Sequence, residues 1–365
     1  MYTPKFSIIT PTYNSEKYLQ QTIESVKYQT YPHVEHVIVD GKSTDGTMEI
    51  VSNHAAPQSV IISEPDAGTS DAINKGIRAA TGDIILFLGS DDYLYAETVL
   101  EEIAEVFARD PELSIAHGNI LMIDPNSGYF LVNGKKTGLE ELKRGDMCPF
   151  PAFFAKKSLY EQCGLLDLSY VYANDFDLVI KCFLTEGVKI QYVDKLCTVF
   201  RLGGVSSNIK TENLSRKVTS QVINKHFGID VDLSLSAMAV NLDYYRLWIE
   251  NLLIQGHPLT YRLPDLGIKQ AAIFGSVKTA IYLHADLMKS GVQVKCFIDN
   301  DARRQSFMLK DLPIYSTEWL QENQEDIDAV LVSVEGEHAQ TIADNLREVL
   351  RGDVHIYTWK QLFNL

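Results

Sequence analysis

Short apolar runs alternate with amphipathic stretches through the first half of the chain. Phe6–Ile9, Val34–Asp40, Val60–Ser63 and Ile84–Leu88 have strand length and composition. Between them, Ser15–Tyr28 carries Leu19, Ile23 and Val26 on one helical face, and Thr44–Ser52 and Ser70–Ala80 also read as helices. Strands that alternate with helices predict a parallel sheet covered on both faces, with ligands at the carboxyl ends of its strands. After a helix at Glu97–Arg109 the pattern loosens. Ser114–Met122 and Tyr129–Val132 predict a hairpin, and Ser158–Cys163 and Asp175–Leu184 predict helices. Lys189–Val193 and Leu196–Phe200 predict two strands with a turn at Asp194-Lys195. Residues 208–262 read as mostly helical. A second alternating unit follows, with strands at Ala271–Gly275, Val292–Ile298, Ile327–Val334 and Val354–Tyr357 around helices Thr279–Ser290 and Glu337–Leu350.

Length changes this picture little: 365 residues suit two domains and a small third element. Charge changes it more. A net charge of −15 argues against a nucleic-acid partner, which asks for a basic face. It does not argue against an anionic substrate, because a metal ion can supply local positive charge. Five scattered cysteines without a CxxC pair read as reduced thiols. Met1-Tyr2-Thr3-Pro4-Lys5 leads straight into a strand without a secretory leader, and no apolar run is long enough to span a bilayer. A cytoplasmic protein is expected, with room for peripheral attachment at the inner face of the cell membrane. Leu242, Tyr245, Ile249 and Leu252 fall on one helical stripe, without a basic face for a membrane surface, so core or subunit packing is expected.

The chemistry concentrates in acids that end apolar runs. Asp91-Asp92 follows Ile84–Leu88 through Gly89-Ser90, while Asp40 and Asp66 lie at or just past the ends of two other runs. Adjacent carboxylates near a buried strand repel each other and resist ionisation, and a hard divalent cation relieves both problems. The plainer alternative is a solvated acidic loop. Three strands delivering acids to one sheet edge favour a site for a metal-bound phosphate compound. Pro11 removes a backbone donor and is expected to end the first ladder, leaving Thr12, Tyr13 and Asn14 to meet a ligand. Asp45 and Asp71 read equally well as helix-capping residues.

The ordered set Phe6-Ser7-Ile8-Ile9-Thr10-Pro11-Thr12-Tyr13-Asn14, Val37-Ile38-Val39-Asp40-Gly41, Ser63-Glu64-Pro65-Asp66-Ala67-Gly68 and Ser90-Asp91-Asp92 resembles family 2 glycosyltransferases over roughly residues 4–207. That resemblance implies a GT-A domain: a mixed central sheet flanked by helices, transferring sugar with inversion from a nucleotide-diphosphate donor, UDP-linked by preference. It implies donor binding by Pro11, Thr12, Tyr13, Asn14, Asp40, Asp66 and Asp91, and Mn²⁺ or Mg²⁺ on Asp91 and Asp92. The acceptor would be a hydroxyl of a glycan or lipid-linked sugar in surface polysaccharide assembly. Two departures stand out. Gly89 occupies a position where the family usually has Asn or Asp, and Pro149-Phe150-Pro151-Ala152 stands where relatives commonly carry His-Gln.

Inversion needs a base opposite the leaving group. Asp175 in Tyr172-Ala173-Asn174-Asp175-Phe176-Asp177 is the candidate, with Asp177 as runner-up. Arg201, before Leu202-Gly203-Gly204-Val205-Ser206-Ser207, is a candidate for the donor diphosphate, weighed against an ordinary surface ion pair. His33-Val34-Glu35-His36 is a poor metal motif, because residues three apart on a strand face opposite ways. Asn213-Leu214-Ser215 matches a glycosylation sequon by letter alone. The expected domains are 1–207 (GT-A), 208–264 (helical linker) and 265–365, a small Rossmann-like unit with Gly275 and Asp299 at nucleotide-binding positions. Its later glycines are replaced by Val277 and Ala280, which favours an assembly role, including a homo-oligomer through the C-terminal region. The competing readings are a non-catalytic nucleotide-sugar-binding or scaffold protein, and a nucleotide-dependent oxidoreductase run by the C-terminal domain.

Overall fold

The computed structural model describes residues 2–125, 128, 130–203, 209–231, 233, 237–336 and 338–365. The chain divides into two compact units, Met1–Ile123 with Val132–Ser234, and Asp124–Leu131 with Leu235–Leu365. The helical region expected over 208–264 is thereby shared between them.

The first unit runs β1 (Phe6–Thr12), α1 (Leu19–Lys27), β2 (Val34–Asp40), α2 (Thr47–His54), β3 (Val60–Ser63), α3 (Thr69–Ala79), β4 (Ile84–Phe87), β5 (Tyr93–Leu94), α4 (Val99–Arg109), β6 (Ile115–Ile123), β7 (Phe130–Asn133), α5 (Leu139–Lys143), β8 (Phe153–Lys156), α6 (Lys157–Cys163), α7 (Asn174–Leu184), β9 (Ile190–Arg201) and α8 (Ile209–Phe227). One sheet has the order β3-β2-β1-β4-β8-β6-β9-β5, with β7 paired to β6. The four leading strands are parallel, while β8 and β5 run antiparallel to their neighbours, so the sheet is mixed.

Apolar side chains cover both faces. Ile9, Val37, Phe87, Phe153 and Phe176 join one buried cluster with Val222 and Ile223 of α8. Phe6, Ile8, Leu86 and Phe154 join another with Phe107 of α4. Each such side chain, taken fully out of water, contributes roughly 1.5–3 kcal/mol. The packing of Val222 and Ile223 explains why α8 belongs to this unit.

Two expectations change. β1 continues through Pro11, which stays in register with Val39. Ile9 accepts a hydrogen bond from Leu88 N, so alternate residues of β1 turn their backbone groups toward β4. Pro11 falls on that side beyond the last residue of β4, where its missing N–H has no ladder to break. The turn expected at Asp194-Lys195 lies inside the single strand β9. There the register against β6 slips around Asn119, a bulge that holds Asp194 against Asn119 Nδ2 at 2.8 Å.

The second unit contains α9 (Ala237–Glu250), β10 (Gln270–Phe274), α10 (Lys278–Lys289), β11 (Gln293–Ile298), β12 (Met308–Leu309), β13 (Leu312–Tyr315), α11 (Thr317–Glu322), β14 (Ala329–Val332), α12 (His338–Val349) and β15 (His355–Thr358). Its sheet order is β12-β13-β11-β10-β14-β15, parallel except at β12. The expected stripe on α9 splits. Tyr245 is partly buried and stacks on the fully buried Trp359 at 5.1 Å between ring centres, whereas Leu242 and Ile249 stay exposed.

Candidate active site

Parallel register brings the expected donor residues to one edge. Thr12 pairs with Asp40, and Asp40 with Ser63, at the carboxyl ends of β1, β2 and β3. Asp40 is fully buried and accepts hydrogen bonds from Ser63 Oγ at 2.6 Å and Ser43 N at 3.2 Å. Thr12 Oγ1 is buried beside it without a hydrogen-bond partner. Asn14 and Lys42 adopt left-handed backbone conformations that turn their two loops over this edge. Asn14 Oδ1 accepts from Thr44 N at 2.9 Å, so its side chain ties those loops together. Tyr13 is exposed beside it. Asp66 lies against the bare Cα of Gly41: a Cβ there would come 2.6 Å from Asp66 Oδ2. Gly41 is thus needed for close approach of the second and third loops.

The acid pair closes the edge one strand away. Asp92 is 2% exposed, and its Oδ1 accepts from Arg201 N at 2.9 Å. Burial, reinforced by Asp91, pushes its carboxyl up to about 7, and burial also raises that of Asp91. Thr22 Oγ1 donates to Asp92 O at 2.6 Å, and Ser15 and Ser90 share a hydroxyl contact of 2.9 Å. These bonds anchor the turn to α1 and the first loop. Gly89 explains the first departure from the family pattern. A Cβ there would lie 2.7 Å from Asp92 Oδ2 and 3.1 Å from Asp91 Oδ1. Both carboxylates therefore converge on the space that a side chain at 89 would fill.

Arg201 is 7% exposed and not a surface ion pair. Its guanidinium donates to Asp91 O and to Gln21 Oε1, and lies 4.4 Å from the Tyr18 ring centre and 4.8 Å from that of Tyr93. These contacts give Arg201 a grip on the Asp91-Asp92 turn. Gln21, Tyr18 and Tyr93 carried no recognisable sequence signal for this task. Gly204–Ser207, the remainder of that motif, lie outside the described residues.

Asp175 sits in the first turn of α7, half-buried, with burial raising its carboxyl. The next residue, Phe176, joins the same apolar cluster as Phe87, the last residue of β4. Asn174 Nδ2 donates to Asp167 O and Tyr170 O at 2.8 Å each, locking the loop that precedes the helix. Asp177 has another occupation. It is fully buried and bonds His226 at 2.8 Å, Lys181 at 3.1 Å and Lys225 at 3.2 Å, tying α7 to α8. At the second departure, Phe150 stacks on Phe87 at 4.8 Å, an aromatic contact in place of a polar one.

Other expectations resolve simply. Asp45 accepts from Thr47 N at 3.0 Å, at the first residue of α2, whose N-cap is Gly46. Asp71 accepts from Ala67 N at 3.1 Å and closes the turn into α3. His36 is buried against Thr10 Oγ1 at 2.9 Å, and burial lowers its pKa to about 3. In the second unit Asp299 follows β11, where it accepts from Ser276 Oγ at 2.5 Å and pairs with Arg304 at 3.0 Å. Glu335 accepts from Tyr245 Oη at 2.8 Å and from Thr279 in the first turn of α10. Asp299 and Glu335 are thus both engaged in polar contacts within this unit. All five cysteines are free thiols.

The family model for glycosyl transferase family 2 matches residues 7–159, the span that builds this edge. A PGL/p-HBAD biosynthesis glycosyltransferase of Mycobacterium bovis (strain BCG / Pasteur 1173P2) is 31% identical over 224 residues, covering 60% of this chain and 85% of that protein. The chain belongs to glycosyl transferase family 2. An uncharacterized glycosyltransferase, MT1564 of Mycobacterium tuberculosis (strain CDC 1551 / Oshkosh), is 32% identical over 209 residues, covering 56% of this chain and 78% of that protein. The crystal structure of S. aureus TarS 1-349 in complex with UDP-GlcNAc matches with a TM-score of 0.49 at 19% identity, over 68% of this chain and 76% of that one. The first unit of this family 2 glycosyltransferase has the expected GT-A architecture, with its mixed sheet between helices. Among the described residues no helix is long and apolar enough to cross a membrane.

Proposed function

We propose that this glycosyltransferase is inverting and metal-dependent. It takes a sugar from a nucleotide-diphosphate donor, a UDP-sugar by preference, and passes it to a hydroxyl of a glycan or lipid-linked acceptor in surface polysaccharide assembly. The observation that carries this reading is the convergence of Asp91 Oδ1 and Asp92 Oδ2 on the space left by Gly89. Among the described residues no group of three metal-ligating side chains stands together. That suits Mg²⁺ or Mn²⁺, which bind through one or two carboxylates and complete their shell with water and phosphate oxygens. A buried carboxylate beside a half-buried one, both with raised pKa values, is a donor set that a cation would stabilise. When bound, the ion supplies charge neutralisation for the departing nucleoside diphosphate.

The protein's own residues do the rest. Asp40 at the end of β2 and Asp66 on the loop after β3 accept hydrogen bonds from the nucleoside, with Thr12, Tyr13 and Asn14 framing that pocket. Arg201 acts as a positioning residue, holding the Asp91-Asp92 turn in place rather than touching the donor. Asp175 takes the proton of the acceptor hydroxyl as its oxygen bonds to the anomeric carbon. The bond from that carbon to the phosphate oxygen breaks, and its electron pair leaves with the diphosphate. Burial near α7 raises the proton affinity of Asp175, as a general base requires.

The test is a panel of nucleotide sugars with a simple glycoside acceptor, with and without Mn²⁺, the product's anomeric configuration being read by NMR. Transfer with inverted configuration, lost on chelation, supports the proposal. Retained configuration or undiminished turnover in EDTA overturns it.

A further inference from the structure

We infer that the exposed face of α9 is a two-fold interface between two copies of this chain. Helix α9 and the π-helical turn Asn251–Gln255 that continues it present two faces. Asn241, Tyr245, Trp248 and Leu252 turn inward: Trp248 Nε1 donates to Asp286 at 2.6 Å, and Tyr245 Oη contacts Thr279 Oγ1 at 2.5 Å. The opposite face is aliphatic and in water. Leu242 is 63% exposed, Leu247 46%, Ile249 56%, Leu253 74% and Ile254 80%. A soluble monomer rarely leaves a contiguous apolar patch beyond about 300–600 Å² open to solvent. Five aliphatic side chains so exposed reach that range, and a two-fold axis doubles the buried area to about 1,000 Å², the lower limit of a specific interface.

The spacing says which occupant fits. Leu242, Arg246, Ile249 and Leu253 follow one another at intervals of four, three and four residues, all exposed. That order is the same read in either direction. Two antiparallel copies therefore place Leu242 against Leu253 and Arg246 against Ile249, the self-complementarity that a two-fold interface demands. Arg246, whose side chain is 76% exposed and pairs with Glu250 of its own helix at 3.0 Å, then also faces Glu250 of the second copy, and each Glu250 faces an Arg246. An anionic membrane fits less well, because the segment carries Asp243 and Glu250 against Arg246 alone.

Analytical ultracentrifugation of the full chain tests this. The wild type is expected to sediment as a dimer at micromolar concentration. Leu242→Lys with Leu253→Lys is expected to be monomeric with an unchanged melting temperature, since both side chains stand in water. Arg246→Glu and Glu250→Arg should each weaken the dimer about tenfold or more. Mixing those two variants should restore it, because every cross-interface pair in the mixed dimer is opposite in sign. A charge pair acting only within one helix cannot be rescued by mixing. A monomeric wild type, failure of the mixture to associate, or a monomer that pellets with anionic vesicles overturns the inference.

Discussion

Replacing Asp92 with Asn should stabilise the metal-free protein while abolishing transfer. Asp92 is 2% exposed, and burial together with the neighbouring Asp91 holds its pKa near 7, against an ordinary 3.8. The folded state therefore binds a proton there that the unfolded chain has already released. Between pH 3.8 and 7 stability falls as pH rises, and above about 7 the whole penalty is present. A shift of this size corresponds to at most about 4 kcal/mol. Asn keeps an oxygen to accept from Arg201 N and removes the repulsion from Asp91, so much of that penalty should be recovered. At roughly 2–4 °C per kcal/mol for a domain of this size, the first unit's melting temperature should rise by several degrees at pH 8.5. At pH 5, between the two pKa values, the difference should shrink to less than half of that at pH 8.5. The assay is thermal unfolding in EDTA at both pH values, followed by donor turnover with Mn²⁺. A variant that melts lower than wild type at pH 8.5, or that shows the same difference at both pH values, would refute the reasoning.

Gly89→Ala forces a Cβ to within 2.7 Å of Asp92 Oδ2. It should cut Mn²⁺-dependent turnover tenfold or more while the fold persists, as checked by kinetics and circular dichroism. Asp175→Asn should lower kcat by about 10²–10⁴-fold with donor binding kept. In the wild type kcat should rise with pH as the raised Asp175 carboxyl ionises, and calorimetry with pH-rate profiles measures both. Glu35 is 6% exposed; burial opposes its ionisation, but hydrogen bonds from Lys5, Ser7 and Thr81 prevail and lower its pKa to about 2. Glu35→Gln should cost up to about 3 kcal/mol at neutral pH. That difference should shrink as pH falls from 4.5 toward 2, because the depressed group contributes only while ionised, and urea unfolding across that range reads it.

Much of the first unit was legible because its strands are buried on both faces and read as apolar runs between amphipathic helices. β5, β8 and α5 were not, because two to five residues leave no period to detect. Asp194-Lys195 has the polarity of a turn, yet neighbours on β6 hold it as a bulge, which only the pairing register reveals. The α9 stripe divides between core and surface for a related reason: spacing groups residues on a cylinder without saying which side meets the core. The acids could be picked out because they end strands. Gly89 carries no chemistry of its own, and its meaning lies in the two carboxylates that crowd its Cα. Arg201 is 109 residues from Asp92. Its grip on that turn depends on β9 returning beside β5, a non-local pairing that motif spacing does not encode.

The most direct measurement is Mn²⁺ binding by electron paramagnetic resonance in the presence of UDP, for wild type and Asp92→Asn. One nucleotide-dependent Mn²⁺ per chain in the wild type, lost in the variant, is the expected result. Equal Mn²⁺ uptake by both proteins, or tight nucleotide binding in EDTA that the substitution leaves unchanged, would contradict a metal-bound diphosphate at Asp91 and Asp92.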